Sequence, residues 1–302
     1  MSPLWFILAF STTIISALVN ILDSHFMSRR MPGTRAYILI CGIFILPAGG
    51  IMLISFPLPA GIGPGPIWAV IVSAILMSGA SVLILQAMKN VDVARVAPLT
   101  ATSPAFVAVL ATVFLGEDLG LRQWLGIGAV VAGAAVISSR WDAAGGGGIN
   151  RKALFMLLGV AVLAAAASVI NKYGLEYMSF WTYAGIDFLV ASILILAFCL
   201  RREVLSSIRT MANRRQAINL TVLNQVIATT ATIMAFWTIQ LGPVSLASTV
   251  FNAKPLLVFA ASAAISRIAP GFMIVEKLSR RSTAIKAAGT AAVVGGLAAI
   301  FI

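Results

Sequence analysis

Two charged side chains stand inside apolar stretches of membrane-spanning length: Asp187 in YAGIDFLVAS and Lys254 in NAKPLLVF. A charge in hydrocarbon must pair, reach water or face a bundle interior, so these two mark either an ion pair between helices or a path for a polar solute. Counted from the same side, Asp187 lies about seven residues into its span and Lys254 about ten, a depth difference of roughly 4–5 Å that lets them pair. Lys254 precedes Pro255, and a second such step, Ser103-Pro104, lies 151 residues earlier. Proline removes a backbone donor and clashes with the preceding turn, which frees carbonyls to line a cavity. Thr100, Thr102 and Asn252 stand beside these structural kinks and extend a polar midplane. Gln86 and Trp237 hold repeat-related positions and offer an amide and an aromatic face. The adjacent Asn224 and Gln225 point about 100° apart on a helix, so at most one of them faces a narrow cavity. Polar residues also join helices to one another in bilayers. The set Lys254, Asn252, Ser103, Thr100, Gln86, Trp237, Asn224 and Asp187 suits recognition of a small polar solute.

The elements that must position these residues follow from composition. The chain has 302 residues, of which 60% are hydrophobic and 10% charged, too little polar surface for a water-soluble domain. Apolar stretches of about 20 residues span a bilayer, and the sequence predicts ten: near 4–22, 37–56, 67–88, 93–115, 122–138, 153–171, 181–200, 217–238, 244–265 and 284–302. They are continuous and rich in Leu, Ile and Ala, which excludes a barrel of alternating short strands. The expected class is an all-α polytopic membrane protein. No Lys or Arg precedes the first stretch, and it lacks a short apolar core with a small-residue cleavage site, so it reads as a retained span.

The ten spans divide into two sets of five. Adding 151 takes Asn20 to Asn171, Met27 to Met178, Ser28 to Ser179, Ala80 to Ala231, Val93 to Val244, Pro104 to Pro255 and Val107 to Val258, with no gap between the first and last of these. This is the mark of an internal duplication. The expected organisation is a first five-helix repeat at 1–140, a Gly-rich linker at 141–152 around Gly145 to Gly148, and a second repeat at 153–302. Five spans is an odd number, so the second copy enters the membrane from the opposite side and the repeats are inverted, the architecture of alternating access.

Charge sorts by loop. Of the 21 lysines and arginines, all but Arg122, Lys172 and Lys254 fall in or beside the odd-numbered connections. The positive-inside rule then places those connections in the cytoplasm and both termini outside. The net charge of +12 is thereby explained as topology and contact with anionic membrane lipids, with no nucleic acid implied. The even connection FPLPAGIGPGP at 56–66 is an uncharged turn.

Several chemistries are excluded. Cys41 and Cys199 sit singly within apolar spans, and His25 has no second ligand at metal spacing, so no metal site is expected. The glycine run has neither the strand nor the Lys-Ser/Thr ending of a phosphate loop. One acid and one lysine are too sparse for catalysis, so no enzyme and no cofactor are implied. Of the nine acidic residues, Asp23 and the others fall in or beside loops, leaving Asp187 alone within a span. Asn20 and Asn171 read as caps at matching helix C-termini.

The segment VDVARVAPLTATSPAFVAVLATVFLGEDLGLRQWLGIGAVVAGAAVI at 91–137 closely resembles the end of an EamA domain of the drug/metabolite transporter superfamily, through Pro98, Pro104, Gly116, Glu117, Gln123, Gly126 and Gly133. A weaker likeness returns at LGPVSLASTVFNAKPLLVF, with Glu276, Gly289 and Gly296 in place of Glu117, Gly126 and Gly133. The second copy departs in its longer loop before Glu276, by about eight residues on this register, and in carrying Lys254 where an acid often precedes the proline. The charge pattern departs too, predicting external termini where many members have internal ones. The resemblance implies ten helices in two inverted repeats, a central cavity, and movement of small metabolites without ATP. The expected function is secondary transport by alternating access of a small metabolite, such as an amino acid, polyamine, sugar or drug-like solute. The alternative is a flippase for a lipid or lipid-linked head group. The expected setting is a bacterial inner (plasma) membrane, and Asp187 is the expected carrier of any coupling proton.

Overall fold

The structure, a computed structural model, describes residues 3–90, 101–138, 151–211, 213–258, 260–261 and 280–301. Among these residues the chain forms eleven helices: α1 Pro3–Arg29, α2 Thr34–Ser55, α3 Pro64–Asn90, α4 Ser103–Leu115, α5 Leu121–Ser138, α6 Arg151–Leu175, α7 Phe180–Cys199, α8 Arg202–Arg209, α9 Arg214–Leu241, α10 Val244–Phe251 and α11 Arg280–Phe301. Eight are long and apolar enough to cross a membrane, and the shorter apolar helices Ser103–Leu115 and Val244–Val258 take the fourth and ninth places of the expected ten. The fourth and ninth are short for matching reasons. The chain turns at 101–102 before α4 and at 252–253 after α10, and it is helical again from 254 to 258. Pro104 falls in the first turn of α4, where its missing N–H costs nothing. The Gly145–Gly148 linker, Thr100, Pro98 and Glu276 lie outside the described residues.

Local sequence sets the ends. The Ser179 side chain accepts the Thr182 N–H at 3.2 Å and caps α7. Gly116, at φ +66°, ends α4 in the left-handed conformation that glycine tolerates best. Large apolar side chains such as Ile54, Trp68, Phe114, Leu125, Phe155 and Phe198 remain exposed around the bundle, as required of a surface that faces lipid rather than water.

The repeats do not lie side by side. The principal packing partners are α1 with α9, α2 with α7, α3 with α6 and α5 with α11, and each pair takes one helix from each repeat. The α1–α9 and α3–α6 pairs are images of one another, so the two halves interlock about a twofold axis. At that axis the Asn252 side chain donates to the Ala101 carbonyl at 2.7 Å, and these two residues are 151 apart. A contact between repeat-equivalent residues straddles the axis that relates them.

Glycine contacts fix the direction of the helices. A Cβ on Gly126 would come within 2.7 Å of the Gly296 carbonyl, and one on Gly133 within 2.6 Å of the Gly289 carbonyl, so α5 and α11 cross antiparallel with their backbones touching. The second crossing, α2 with α7, seats Gly42 under Ser192 and Ile195 and Gly49 against Gly185. Small residues permit this approach in a membrane, where van der Waals packing replaces the hydrophobic drive.

The uniform offset of 151 needs correction at the second crossing. Helices α2 and α7 begin at Thr34 and Phe180, a shift of 146 rather than 151. The second copy opens with a shorter stretch, and the connection 200–213 holds the additional helix α8, which restores the count before α9. Helix α8 packs Val204 against Ala36, Leu39 and Cys199 at the basic end of the bundle.

Candidate functional site

A cavity of about 420 Å³ opens between the α1–α9 and α3–α6 pairs. Helix α1 contributes Thr12, Ser16, Val19 and Asn20, α3 contributes Ser73 and Met77, and α6 contributes Ser168 and Asn171. One face of α9, from Ala228 through Thr232 and Phe236 to Ile239, forms the opposing wall, and Phe251 follows from α10. Asp187 from α7 and Lys254 from the segment after α10 enter the same space. Among the described residues they form no ion pair with one another and neither makes a hydrogen bond, although both line the cavity. Among the described residues the Thr12 hydroxyl, buried in the wall, has no partner.

Two hydrogen-bonded clusters flank this cavity, one towards each membrane face. On the side of the termini, the Tyr183 hydroxyl donates to the Asn171 carbonyl oxygen at 2.6 Å and meets Ser73 Oγ at 2.9 Å. On the basic side, the Tyr37 hydroxyl donates to Asp23 Oδ1, and Asn224 Nδ2 donates to the same oxygen at 2.6 Å and to the Tyr37 oxygen at 3.2 Å. Each tyrosine is the fourth residue of its helix, α7 and α2. The clusters are analogous across the repeats: the tyrosines match by place in their helices and Ser73 and Asn224 are 151 apart, while Asp23, one turn beyond Asn20 on α1, takes the part that the amide of Asn171 plays on α6.

A third polar cluster holds the corner between α9 and α10. Glu117, at the end of α4, accepts the Val244 N–H at 2.6 Å and the Ser245 N–H at 3.3 Å, and it also takes the Ser245 hydroxyl. Lys172 on α6 donates to the carbonyls of Ile239, Gln240 and Gly242 at 3.0, 3.3 and 3.1 Å. An anion thus sits on the N-terminus of α10 and a cation on the C-terminus of α9, each favourable to the local helix dipole. Val244 and Ser245 are fully buried, so Glu117→Ala leaves two amide donors without acceptors. The expected loss is about 1–3 kcal/mol, read as a lower midpoint of thermal unfolding in detergent.

Most of the residues singled out in the sequence find a definite place. Lys254 and Asp187 line the cavity, without the mutual ion pair their depths permit. Asn252 binds Ala101, Ser103 opens α4, and Pro104 and Pro255 stand at the two breaks. Asn224 joins helices at the basic-side cluster. Trp237 stacks on Phe180 with ring centroids 5.0 Å apart and is not among the cavity residues. Gln86 lies in α3, and its side chain, like Thr100, is outside what the structure describes.

Three expectations are overturned by helix length. Helix α1 continues to Arg29, past the limit that hydropathy suggests, so Asp23 and His25 are helical rather than in a loop. Asp187 is therefore not the sole acid within a spanning helix. Asn20 and Asn171 are interior to α1 and α6 and face the cavity instead of capping helices. The signal was present in the sequence: Thr12, Ser16, Asn20 and Asp23 recur at helical spacing and form a single polar stripe along an apolar helix.

Inverted repeats that enclose a polar cavity within an apolar bundle define a membrane transporter. The sequence profile of the EamA-like transporter family matches the chain twice, at residues 3–139 and 151–302. The chain belongs to the EamA-like transporter family, and its resemblance to the drug/metabolite transporter superfamily is real in both halves. An uncharacterized transporter encoded in the cobO 3' region of a Sinorhizobium species is 42% identical over 76 residues, 25% of this chain and 54% of that protein. The match thus spans about half the length of that relative. A protein of known crystal structure shares the fold with a TM-score of 0.66 at 18% identity, over 97% of this chain and 94% of the other.

Proposed function

We propose that this protein carries a small zwitterionic metabolite of the amino-acid class across the membrane, without ATP, by alternating access around the central cavity. The observation that carries this reading is the pair Asp187 and Lys254, an acid and a base that line one cavity without pairing with each other. A solute with both an ammonium and a carboxylate satisfies both, whereas a solute of one sign satisfies one and is repelled by the other. Asn20, Asn171 and the hydroxyls of Ser16, Ser73, Ser168 and Thr232 supply donors and acceptors, and Phe236 and Phe251 an apolar wall, as small-molecule sites require. The interlocked fold supports movement of the α1–α9 pair against the α3–α6 pair, rather than of one repeat against the other. Basic loops assign the face bearing Arg29, Arg30 and Arg35 to the cytoplasm, with both termini external, in a bacterial inner membrane.

The test is counterflow in proteoliposomes loaded in turn with neutral amino acids, dicarboxylates, polyamines, sugars and nucleosides. Exchange is expected with neutral amino acids and not with their methyl esters or N-acetyl forms, each of which has lost one charge. Exchange of sugars or polyamines alone would overturn the zwitterion assignment, and scrambling of fluorescent lipid would favour the flippase.

A further inference from the structure

We propose that Asp23 is a proton-binding site, and that its charge, set against Lys254 in the cavity, controls the junction of α1, α2 and α9 at the basic side. This deepens the carrier reading, on which its role in transport rests. The two flanking clusters are alike in plan and unlike in charge. Both are built from a tyrosine in the first turn of the second helix of a repeat, a group on the first helix, and a polar group on the third helix of the other repeat. Only the basic-side cluster contains a group that can gain or lose a proton in the ordinary range, because Asn171 is an amide where Asp23 is an acid.

Geometry makes the Asp23 charge consequential. One of its oxygens accepts from both Tyr37 on α2 and Asn224 on α9, so a single carboxylate ties together three helices from two repeats. Bonds to a carboxylate are roughly twice as strong as those to a neutral acceptor. The groups facing Asp23 are Tyr37 and Cys41 from α2, the uncharged Asn224 from α9, and Lys254 from the segment after α10, which is near enough for its charge to act on Asp23. Asp23 lies one turn beyond Asn20 on α1, and Asn224 one turn before Ala228 on α9; both neighbours line the cavity. Among the described residues Asn224 Oδ1 is buried without a partner, so the junction is incompletely satisfied there and a change at Asp23 meets little reserve. A solute carboxylate that engages Lys254 draws its charge away from Asp23, the acid takes a proton from water on the basic side, and the junction weakens. Release of the solute reverses each step.

Hydrogen–deuterium exchange on the solute-free protein in detergent tests this without reference to any substrate. After correction for the intrinsic rate of amide exchange at each pH, protection at the end of α1 and the start of α9 is expected to fall about tenfold between neutral and mildly acidic conditions, the effect of losing one charge-assisted bond. The repeat-related amides at the end of α6 and the start of α3 serve as an internal control and are expected to show no such step. Asp23→Asn is expected to remove the step. If that variant does not fold, Tyr37→Phe and Lys254→Met keep the acid while deleting a donor or a cation, and both should move the midpoint to higher pH. A step shared equally by the two ends, one that persists in Asp23→Asn, or a midpoint indifferent to both other variants would overturn the proposal. Counterflow that survives such a result would leave the carrier reading in place.

Discussion

Replacing Lys254 with alanine is expected to lower the apparent affinity for a zwitterionic solute by roughly 30- to 1,000-fold, the effect of deleting one member of a desolvated charge pair. The reason lies in the position of the side chain. Lys254 enters the cavity where the ninth span is broken at 252–253, and it has no ion-pair partner among the described residues. Its ammonium, whose charged neighbour is Asp23, can take up a carboxylate from a solute. Asp187→Asn should produce a loss of similar size through the opposite end of the solute, so the pair provides a vectorial test. Carboxyl-blocked analogues should be insensitive to Lys254→Ala, and amine-blocked analogues insensitive to Asp187→Asn. Competition binding by scintillation proximity on purified protein gives these affinities directly. If both variants weaken both analogue classes equally, the two residues act only on the shape of the bundle.

The largest structural effect is expected at the α5–α11 crossing. Gly133→Val places a Cβ within 2.6 Å of the Gly289 carbonyl and 2.9 Å of the Val293 nitrogen, and Gly126→Val meets the Gly296 carbonyl at 2.7 Å. These neighbours are backbone atoms and cannot rotate aside, so the helices must separate along a contact that buries Ile127, Val130, Ala134, Val293 and Leu297. A cost of about 1–3 kcal/mol per site is expected, with the double variant failing to accumulate in membranes. Gly128→Val supplies the control, since a Cβ there meets nothing within 4 Å. Thermal unfolding followed by intrinsic fluorescence should separate the three variants, and equal midpoints would show that close backbone approach is not what joins these helices.

Much of the architecture is legible in the chain because the bilayer enforces it. Continuous apolar stretches have to be helices, and an odd number of spans per copy has to invert the second copy; that Gly126 and Gly133 meet Gly296 and Gly289 at a close crossing is seen only in the structure. The site is less legible. Lys254 and Asp187 stand out because a charge in hydrocarbon is costly, and both line the cavity. Asp23 does not stand out, because hydropathy ends the first span at the first cluster of polar residues, whereas the helix itself runs on to Arg29. Tyr37 and Tyr183 are concealed for a different reason. Their equivalence follows helix starts at 34 and 180, which a constant offset of 151 does not align.

The sequence by itself determined that this protein spans a membrane as two copies of one five-helix unit, in opposite senses, because the cost of leaving a backbone amide or a side-chain charge unsatisfied in lipid leaves few alternatives. Only the tertiary structure decided which helices meet. The copies interlock rather than stand apart, and that interlocking brings Asp23 to Asn224 and sets Asp187 and Lys254 in one cavity. Contacts of this kind depend on small residues and single hydrogen bonds between helices distant in sequence, and no periodicity along one helix records which neighbour will supply the partner.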